Sequence, residues 1–356
     1  VKEKNRLYDI GLAAYLVNPL ADDYEPESIA EVYLEKEIPS FAARFKKVEL
    51  KEAIASEDFS EIAGKAVLAV YDAAQKILKE VDDYGMTALY EKVELPLVYT
   101  LCDMEEKGIA VKKEALQTYG ENLSKRIVEL ETQIYEMAGE TFNINSPKQL
   151  GVILFEKMEL PFGKKTKSGY STSADILNKL KDESPFVALV LEYRQLTKLK
   201  STYADGLAGF IAEDGRIHGK FYQTVTATGR LSSAEPNLQN IPIRMELGRK
   251  IRKVFVPKED YVFLDADYSQ IELRLLAHMS ADEQMIEGYR QEADIHKATA
   301  SLVFKTPLEE VTKEQRSSAK AVNFGIIYGI SSFGLGQDLS IGKKEAEAYI
   351  NRYFET

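Results

Sequence analysis

The chain has 356 residues, of which 45% are hydrophobic and 29% charged, a composition typical of a folded protein of two or three domains. No apolar run reaches the ~18 residues of a membrane span. One cysteine excludes an internal disulfide framework, and with only three histidines beside it the chain is poor in zinc ligands. The net charge of −11 taken alone argues against a nucleic-acid partner.

The distribution of charge reverses that interpretation. Residues 216–258 contain nine Lys or Arg against two acids, and residues 143–200 contain ten against six. Basic tracts in an otherwise acidic chain can attract a polyanion to one surface and repel it elsewhere. Each window alone is equally consistent with a solvated basic face.

The first two hundred residues predict helices. Residues 1–95 are acidic and indicate short helices of a packing domain, whereas residues 112–138 carry apolar side chains at alternating steps of three and four, typical of one long helix. Ser146 and Pro147 have the N-cap and first-turn pattern of a helix that runs to about residue 158. A basic, flexible loop is expected over 163–169.

A further helix is predicted from Ser184 and Pro185 to about residue 212. Antiparallel helices with basic connections suit a clamp around a duplex, and a plain helical bundle is the alternative. Strands are predicted over 217–225, 254–256 and 261–266, the last of them short and buried. Residues 281–356 are predicted to be helical again.

Residues 265–274, DADYSQIELR, place carboxylates at the end of the predicted strand 261–266. Side chains alternate along a strand, so Asp265 and Asp267 are expected on one face. Their hard oxygens suit Mg²⁺ beside a phosphate group. An acid at such a position is as readily a turn or helix-capping residue.

A second candidate is the helix predicted to begin at Thr312, where Gln315 completes a capping box. One stripe of this helix carries residues four apart: Arg316, Lys320, Phe324 and Tyr328. Another face carries apolar residues that can pack inward: Ala319, Val322 and Ile326. Cations near a helix N-terminus oppose its dipole, and a bound triphosphate would explain them. The aromatic rings could then stack on the base. Two surface cations followed by two core aromatics remain the alternative.

The third candidate is a pair of polar segments, TATGRLSS at 226–233 and PNLQNIP at 236–242. Gly229 permits a sharp turn that presents Arg230 to a partner. Gln239 and Asn240 can hydrogen-bond to the acceptors of a minor groove. Such segments can also be ordinary loops.

Together these segments resemble the DNA polymerase I family (family A), in its bacterial, Klenow-like large-fragment form. DADYSQIELR is similar to motif A of that family, RSSAKAVNFGIIYG to its motif B, and TATGRLSSAEPNLQNIPIR to the palm segment that touches the primer–template. FNINSPKQLGVILFEK resembles the thumb. The resemblance implies an α+β, right-hand fold of palm, thumb and fingers, with an N-terminal remnant of a 3′–5′ exonuclease domain.

The resemblance also implies domain boundaries and site residues. The domains would be an inactive, partial exonuclease-like part at 1–95, the start of the palm at 96–115, the thumb at 116–212, the palm with motif A at 213–280 and the fingers with motif B at 281–356. Asp267 would bind both catalytic Mg²⁺ ions, and Glu272 would exclude a ribose 2′-hydroxyl. The incoming deoxynucleoside triphosphate would contact His296, Arg316, Lys320, Phe324 and Tyr328, of which Arg316 and Lys320 would also be catalytic. The primer–template would contact Arg230, Gln239, Asn240 and Arg244.

The sequence departs from the family pattern in two respects. The acids of the exonuclease site have no counterpart in residues 1–95, so no nuclease activity is expected. The His-Asp-Glu turn of motif C, which supplies the second metal-binding Asp, is not found before Thr356. A polymerase fragment that binds DNA without extending a primer is therefore expected.

The expected parent is a bacterial enzyme of DNA replication or repair that is monomeric, cytoplasmic and nucleoid-associated. Its cofactor would be Mg²⁺, and its partners would be primer–template and deoxynucleoside triphosphates. No contact with a membrane is expected. A non-catalytic DNA-binding module and a single-subunit RNA polymerase are the rival interpretations. Glu272 and the full TATGRLSS and QNIP segments argue against the RNA polymerase.

Overall fold

The computed structural model describes residues 7–161, 165–166, 169–181, 183–243, 246–291, 293–339 and 341–355. The chain divides into two compact units, Val1–Phe263 and Leu264–Thr356. Most described residues are helical, with short antiparallel strands, which confirms the α+β class. The finer boundaries at 95, 115, 212 and 280 stay predictions. Among the described helices none combines the length and apolarity needed to cross a membrane.

The N-terminal part of the first unit is a helical cluster. Its elements are α1 (Ile10–Val17), α2 (Pro26–Leu34), α3 (Phe41–Phe45), α4 (Leu50–Ala55), α5 (Phe59–Asp83), α6 (Thr87–Leu89), a π-helical turn (Tyr90–Glu94) and α7 (Leu95–Lys107). The prediction of only short helices is wrong for α5, which has 25 residues. Its buried stripe, which includes Ala66, Ala69, Ala73 and Ile77, packs near α1 and α2. Small alanines form this stripe, so its apolar period is weak in the sequence.

A second helical group follows. It contains α8 (Lys113–Ala138), α9 (Pro147–Val152) with a π-helical continuation (Ile153–Lys157), α10 (Ala174–Leu180), α11 (Pro185–Leu199) with a π-helical continuation (Lys200–Asp205), and α12 (Gly206–Ala208). The long helix predicted over 112–138 is confirmed, and it packs against α11 through a core that includes Leu116, Leu123 and Leu130. The Ser146 hydroxyl accepts the N–H of Gln149 at 3.4 Å, which confirms the N-cap.

The strands of the first unit are short. They are β1 (Ile109–Val111), β2 (Lys165–Thr166), β3 (Gly169–Tyr170), β4 (Arg216–Ile217), β5 (Lys220–Tyr222), β6 (Ser232–Ala234) and β7 (Phe255–Val256), with α13 (Glu246–Arg252) before the last. Strands β4, β1 and β7 form one antiparallel sheet, and β5 pairs with β6 in a hairpin. The predicted strand 217–225 is thus two strands. The basic loop 163–169 lies mostly outside the described residues, and its described parts pair as β2 and β3.

The prediction of a buried strand over 261–266 is wrong. All six residues are exposed, Leu264 to 91%, and no strand within the described residues pairs with them. An isolated apolar run cannot form a sheet because its main-chain hydrogen bonds need a neighbouring strand.

The second unit is helical in its described residues, as predicted for 281–356. Its helices are α14 (Ile271–Ser280), α15 (Glu283–Arg290), α16 (Ile295–Phe304), α17 (Lys313–Ile327), α18 (Ser332–Leu339) and α19 (Lys343–Glu355), with a 3₁₀ turn (Leu308–Glu310) before α17. Helix α16 packs along α17, and a small core formed by Val303, Val322, Leu335, Ala346 and Tyr349 joins these helices to α18 and α19.

The packing of α8 predicts a large cost for truncating Leu130. Its side chain is 0% exposed, so Leu130→Ala is expected to lower the free energy of unfolding of the first unit by about 2–5 kcal/mol. Val128 on the same helix is 60% exposed, and Val128→Ala is expected to change it by less than about 0.5 kcal/mol. Urea unfolding followed by circular dichroism measures both free energies. Equal effects would contradict the prediction that the apolar side chains spaced three and four apart on α8 form its buried face.

Candidate functional site

Helix α17 presents Arg316, Lys320 and Phe324 on one side. The predicted capping box is formed: the N–H of Thr312 donates to Oε1 of Gln315 at 3.0 Å, and the N–H of Gln315 donates to Oγ1 of Thr312 at 3.1 Å. Arg316 and Lys320 are exposed, and Phe324 is half-buried. The Nζ atom of Lys320 lies 6.0 Å from the Phe324 ring centroid, so the cation and the ring are neighbours on the surface.

The neighbouring face of α17 is buried. Ala319 and Val322 are fully buried, as the sequence predicts, and so is the polar side chain of Asn323. The side chain of Ile326, also predicted to pack inward, lies outside the described residues. Tyr328 follows the last helical residue and is exposed. The predicted stripe therefore continues past the end of the helix.

His296 on α16 is brought against α17. It is 2% exposed, and its Nδ1 lies 2.9 Å from Nδ2 of Asn323. Its ring centroid lies 5.7 Å from that of Phe324. With the amide nitrogen of Asn323 as donor, Nδ1 is the acceptor and the ring proton is on Nε2. The imidazole can then donate one further hydrogen bond.

The electrostatic surroundings keep this imidazole neutral. Burial lowers the pKa of His296 below its ordinary value. The positive charges of Arg316 and Lys320 lower it further, and the carboxylate of Asp294 opposes them. A neutral donor and two cations thus lie together, which is the grouping that the sequence predicted for these three residues.

Asp294 joins this group by pairing with Arg316. Their Oδ2 and Nε atoms are 2.6 Å apart, and both side chains are more than one-third exposed. The other carboxylate oxygen caps α16 by accepting the N–H of Lys297 at 3.1 Å. Burial raises the pKa of the Asp294 carboxyl, but the hydrogen bonds from Arg316 and the Lys297 N–H outweigh this and lower it overall.

The sequence analysis missed Asp294 and Asn323 as members of the group. The signal for Asp294 was its position as an N-cap residue two places before His296. The signal for Asn323 was a polar side chain directly after Val322 on the inward face of α17.

The acidic segment before α14 differs from its prediction. Asp267 lies in the exposed run 261–268 rather than at a strand end, so the argument that Asp265 and Asp267 share a strand face is wrong. Asp267 makes no hydrogen bond or ion pair to any residue that the structure describes. Glu272 is half-buried in the first turn of α14, where the sequence predicts it.

The turn between Asp267 and Glu272 is supported from α14 and α15. Nε of Arg274 donates to the Ser269 carbonyl at 2.9 Å, and its guanidinium lies 4.5 Å from the ring centroid of Tyr289. The Tyr289 hydroxyl donates to Oε1 of Gln270 at 3.1 Å. Burial raises the pKa of Tyr289 to about 12, so this hydroxyl stays protonated.

The predicted metal site does not appear as a cluster of ligands among the described residues. Within the part of the chain that the structure describes, no three His, Cys, Asp or Glu side chains are grouped so as to hold a metal ion. The oxygen donors of Asp267 are of the type that Mg²⁺ prefers, but one carboxylate does not complete a coordination shell. The role of Asp267 as a metal ligand therefore stays a prediction.

In the first unit, the predicted turn at Gly229 is formed in the loop between β5 and β6. Gly229 has φ of +77°, a conformation that glycine adopts without strain. Oγ1 of Thr226 donates to the carbonyl of Arg230 at 2.7 Å across the turn. Arg230 is exposed, as a residue that contacts a partner must be.

The second polar segment is held within the first unit by one of its side chains and one of its main-chain carbonyls. Nε2 of Gln239 donates to the Leu231 carbonyl at 3.3 Å, and the Tyr203 hydroxyl donates to the Asn240 carbonyl. The Asn240 side chain lines a groove of about 500 Å³ beside α11. Arg244 lies outside the described residues.

Some cations of the basic window 216–258 bond to other groups of the chain. Nε and Nη2 of Arg216 donate to the carbonyls of Lys107 and Gly108 at 2.6 and 3.0 Å, which ties β4 to the start of β1. Lys220 pairs with Glu235 at 2.5 Å. The cations exposed on and after α13 are Arg249, Lys250, Arg252, Lys253 and Lys258. These five, with Arg230, form the surface charge that could attract a polyanion.

A sequence model of DNA polymerase family A matches residues 113–356. The chain belongs to this family. DNA polymerase I of Bacillus subtilis is 49% identical over 359 aligned residues, which cover 100% of this chain and 41% of the relative. DNA polymerase I of Caldicellulosiruptor bescii is 46% identical over 98% of this chain and 39% of the relative. The chain thus spans about two-fifths of the length of these relatives.

A solved structure supports the same fold for this family A chain. The POL domain of Pol1 from M. smegmatis, in complex with DNA primer–template and dNTP, superposes with a TM-score of 0.84 at 40% identity. The match covers 98% of this chain and 58% of that one. The fold and family predicted from the motifs are therefore confirmed.

The opposite environments of two histidines predict opposite titrations in this family A chain. His296 is expected to titrate below its ordinary pKa of about 6.5. His218 is expected to titrate above it, because its ring bonds to the Glu105 carbonyl and to Asp214. Histidine NMR signals followed against pH, and assigned with His296→Gln and His218→Gln, measure both. The reverse order would contradict the described packing.

The lowered pKa of His296 also predicts how the stability of the second unit depends on pH. Folded His296 binds a proton less readily than unfolded His296, so its contribution should make the second unit less stable as the pH falls below about 6.5. The same unfolding experiment with His296→Gln should show a weaker pH dependence in that range.

Proposed function

We propose that this chain takes part in template-directed DNA synthesis, in which deoxynucleotides are added to a primer 3′ end. The observation that carries the proposal is the grouping of His296, Arg316 and Lys320 beside the ring of Phe324. An imidazole N–H, a guanidinium and an ammonium match the oxygens of a triphosphate. The adjacent ring can stack on the sugar and base.

Arg316 can serve a triphosphate even though it pairs with Asp294. An exposed ion pair contributes only about 0–1 kcal/mol, so a ligand of higher negative charge can compete for the guanidinium. In the free chain, Asp294 keeps Arg316 beside the N-terminus of α16 and close to His296. We assign Tyr328, at the end of α17, to the templating position, with Gly329 (φ +70°) as the point where the helix can move.

Asp267 and Glu272 supply the remaining nucleotide contacts. The exposed Asp267 carboxylate has no partner among the described residues and is available as a Mg²⁺ ligand. When bound, two Mg²⁺ ions would activate the primer 3′-hydroxyl and stabilise the leaving pyrophosphate. Glu272, in the first turn of α14, would fill the space beside C2′ of the sugar and exclude a ribonucleotide.

Duplex binding is assigned to the first unit. Arg230, Gln239 and Asn240 would contact the minor groove near the primer end, Arg244 the adjacent backbone, and the exposed cations of α13 the phosphates. The POL domain of Pol1 from M. smegmatis, which is similar to this chain, is in complex with primer–template and dNTP, and this supports a DNA duplex as the partner. We expect a monomer that acts in the bacterial cytoplasm at the nucleoid.

Asp267→Asn tests the catalytic assignment in the polymerase that contains this sequence. Primer extension with Mg²⁺ and all four deoxynucleotides should fall at least about 100-fold, because the amide keeps the shape but loses the charge that binds metal. Duplex affinity should stay within about twofold. Asp265→Asn is the matched control, since Asp265 is an exposed acid in the same segment.

Two outcomes would count against the catalytic assignment. One is extension by Asp267→Asn within tenfold of the unsubstituted protein, and the other is an equal loss in Asp265→Asn. An assay of the 356-residue chain by itself tests the rival interpretation, which is a non-catalytic DNA-binding module. Duplex binding without extension is expected of both a polymerase fragment and a non-catalytic DNA-binding module, whereas template-dependent extension of the primer would exclude the non-catalytic module.

Glu272→Ala tests the selection of deoxyribose. Removing the carboxylate and one methylene opens space beside C2′, so incorporation of ribonucleotides relative to deoxynucleotides should rise by about tenfold or more. Glu283→Ala, in the first turn of the next helix, is the control and should leave that ratio unchanged. A ratio that stays constant in Glu272→Ala would show that this side chain does not face the sugar.

A further inference from the structure

One hydroxyl from the N-terminal helices bonds to the loop that carries Arg230. Tyr15 on α1 is 2% exposed. Its hydroxyl donates to the Thr226 carbonyl at 2.7 Å and accepts the N–H of Gly229 at 3.1 Å. A single buried side chain, more than 200 residues away in sequence, thus bonds to both ends of the Gly229 turn.

The loop needs such support because its own structure supplies little. The hairpin pairs Tyr222 with Ser232, which leaves nine residues, 223–231, outside the strands. Inside this loop, Oγ1 of Thr226 bonds to the Arg230 carbonyl. Loop residues held by few bonds are expected to sample many conformations, and each bond from outside reduces that number.

A second external contact holds the base of the loop. Nε2 of Gln223 donates to the carbonyl and to Oε2 of Glu94, at 3.1 and 2.8 Å. Glu94 lies in the π-helical turn before α7, so both anchors belong to the helical segment that precedes β1. Both anchors lie within residues 1–95, the segment expected to be an inactive, partial exonuclease-like domain. This segment therefore contacts the loop that we assign to primer–template binding.

We propose that Tyr15 is a positioning residue for Arg230: its hydroxyl fixes the Gly229 turn and so sets the direction in which Arg230 meets the duplex. This inference rests on the proposed function, because it needs Arg230 to contact primer–template DNA. It gives residues 1–95 a part in DNA binding through structural support. Pre-organising the loop lowers the ordering cost that binding would otherwise include.

Packing alone does not explain the hydroxyl. The Tyr15 ring packs edge-on against Tyr24, with centroids 5.7 Å apart, and a phenylalanine ring would make the same contact. The oxygen, in contrast, uses one donor and one acceptor, and both partners are main-chain atoms of the turn. Removing it leaves the ring contacts intact and deprives the turn of two hydrogen bonds.

Tyr15→Phe is therefore the test, and Tyr90→Phe is its matched control. Tyr90 is buried in the same core, and its hydroxyl donates to the Asp9 carbonyl at 2.9 Å, a bond outside the loop. The first measurement is amide hydrogen exchange over residues 223–231, without DNA. Exchange at Gly229 should become about fivefold faster or more in Tyr15→Phe and stay unchanged in Tyr90→Phe.

The second measurement is the Kd for a labelled primer–template duplex in a double-mutant cycle with Arg230→Ala. Tyr15→Phe should weaken binding about threefold in the unsubstituted chain and have no further effect in Arg230→Ala. Tyr90→Phe should have no effect in either. A side chain that matters only for stability would lower affinity equally in both backgrounds.

The outcomes separate this inference from the proposed function. Unchanged Gly229 exchange in Tyr15→Phe, or an equal loss of affinity with and without Arg230, overturns the positioning role while duplex binding stands. Failure of the unsubstituted chain to bind duplex overturns the proposed function, and the role of Arg230 with it.

Discussion

Helix α17 can bury only one face against α16, and this constraint determines which of its side chains can meet a ligand. Ala319, Val322 and Asn323 fill the buried face. Residues four apart stay on one side of a helix, so Arg316 and Lys320 remain exposed together. The packing that builds the second unit therefore also builds the donor group, and a substitution on the inward face would disturb both.

The same packing decides the charge of the group. A histidine buried between two cations is held in its neutral form, because a third positive charge there would have neither water nor enough counter-charge. The carboxylate of Asp294, at the N-terminus of α16, pairs with the positive charge of Arg316. The side-chain amide of Asn323 bonds to the imidazole of His296 and so orients it. The result is one neutral and two positive donors on neighbouring helices.

The first unit contains long polar loops that need support from other parts of the chain. Its strands are two or three residues long and cannot order the segments between them. Side chains from distant helices supply the missing bonds: Tyr203 to Asn240, Glu94 to Gln223 and Tyr15 to the Gly229 turn. Arg216 and Lys220 of the basic window also bond to groups of the chain itself, so the charge counted from the sequence overstates the charge available to a polyanion.

The sequence by itself determined the helices of α8 and α17, the caps at Ser146 and Thr312, the stripe of Arg316, Lys320 and Phe324, and the family. These features depend on contacts three or four residues apart, or on contiguous motifs, and both are visible in the order of residues. Only the tertiary structure decided that 261–266 is not a strand, that His296 meets Asn323, and that Tyr15 meets Gly229. Each of these depends on a partner far away in sequence, and whether that partner is present follows from the path of the chain and not from local pattern.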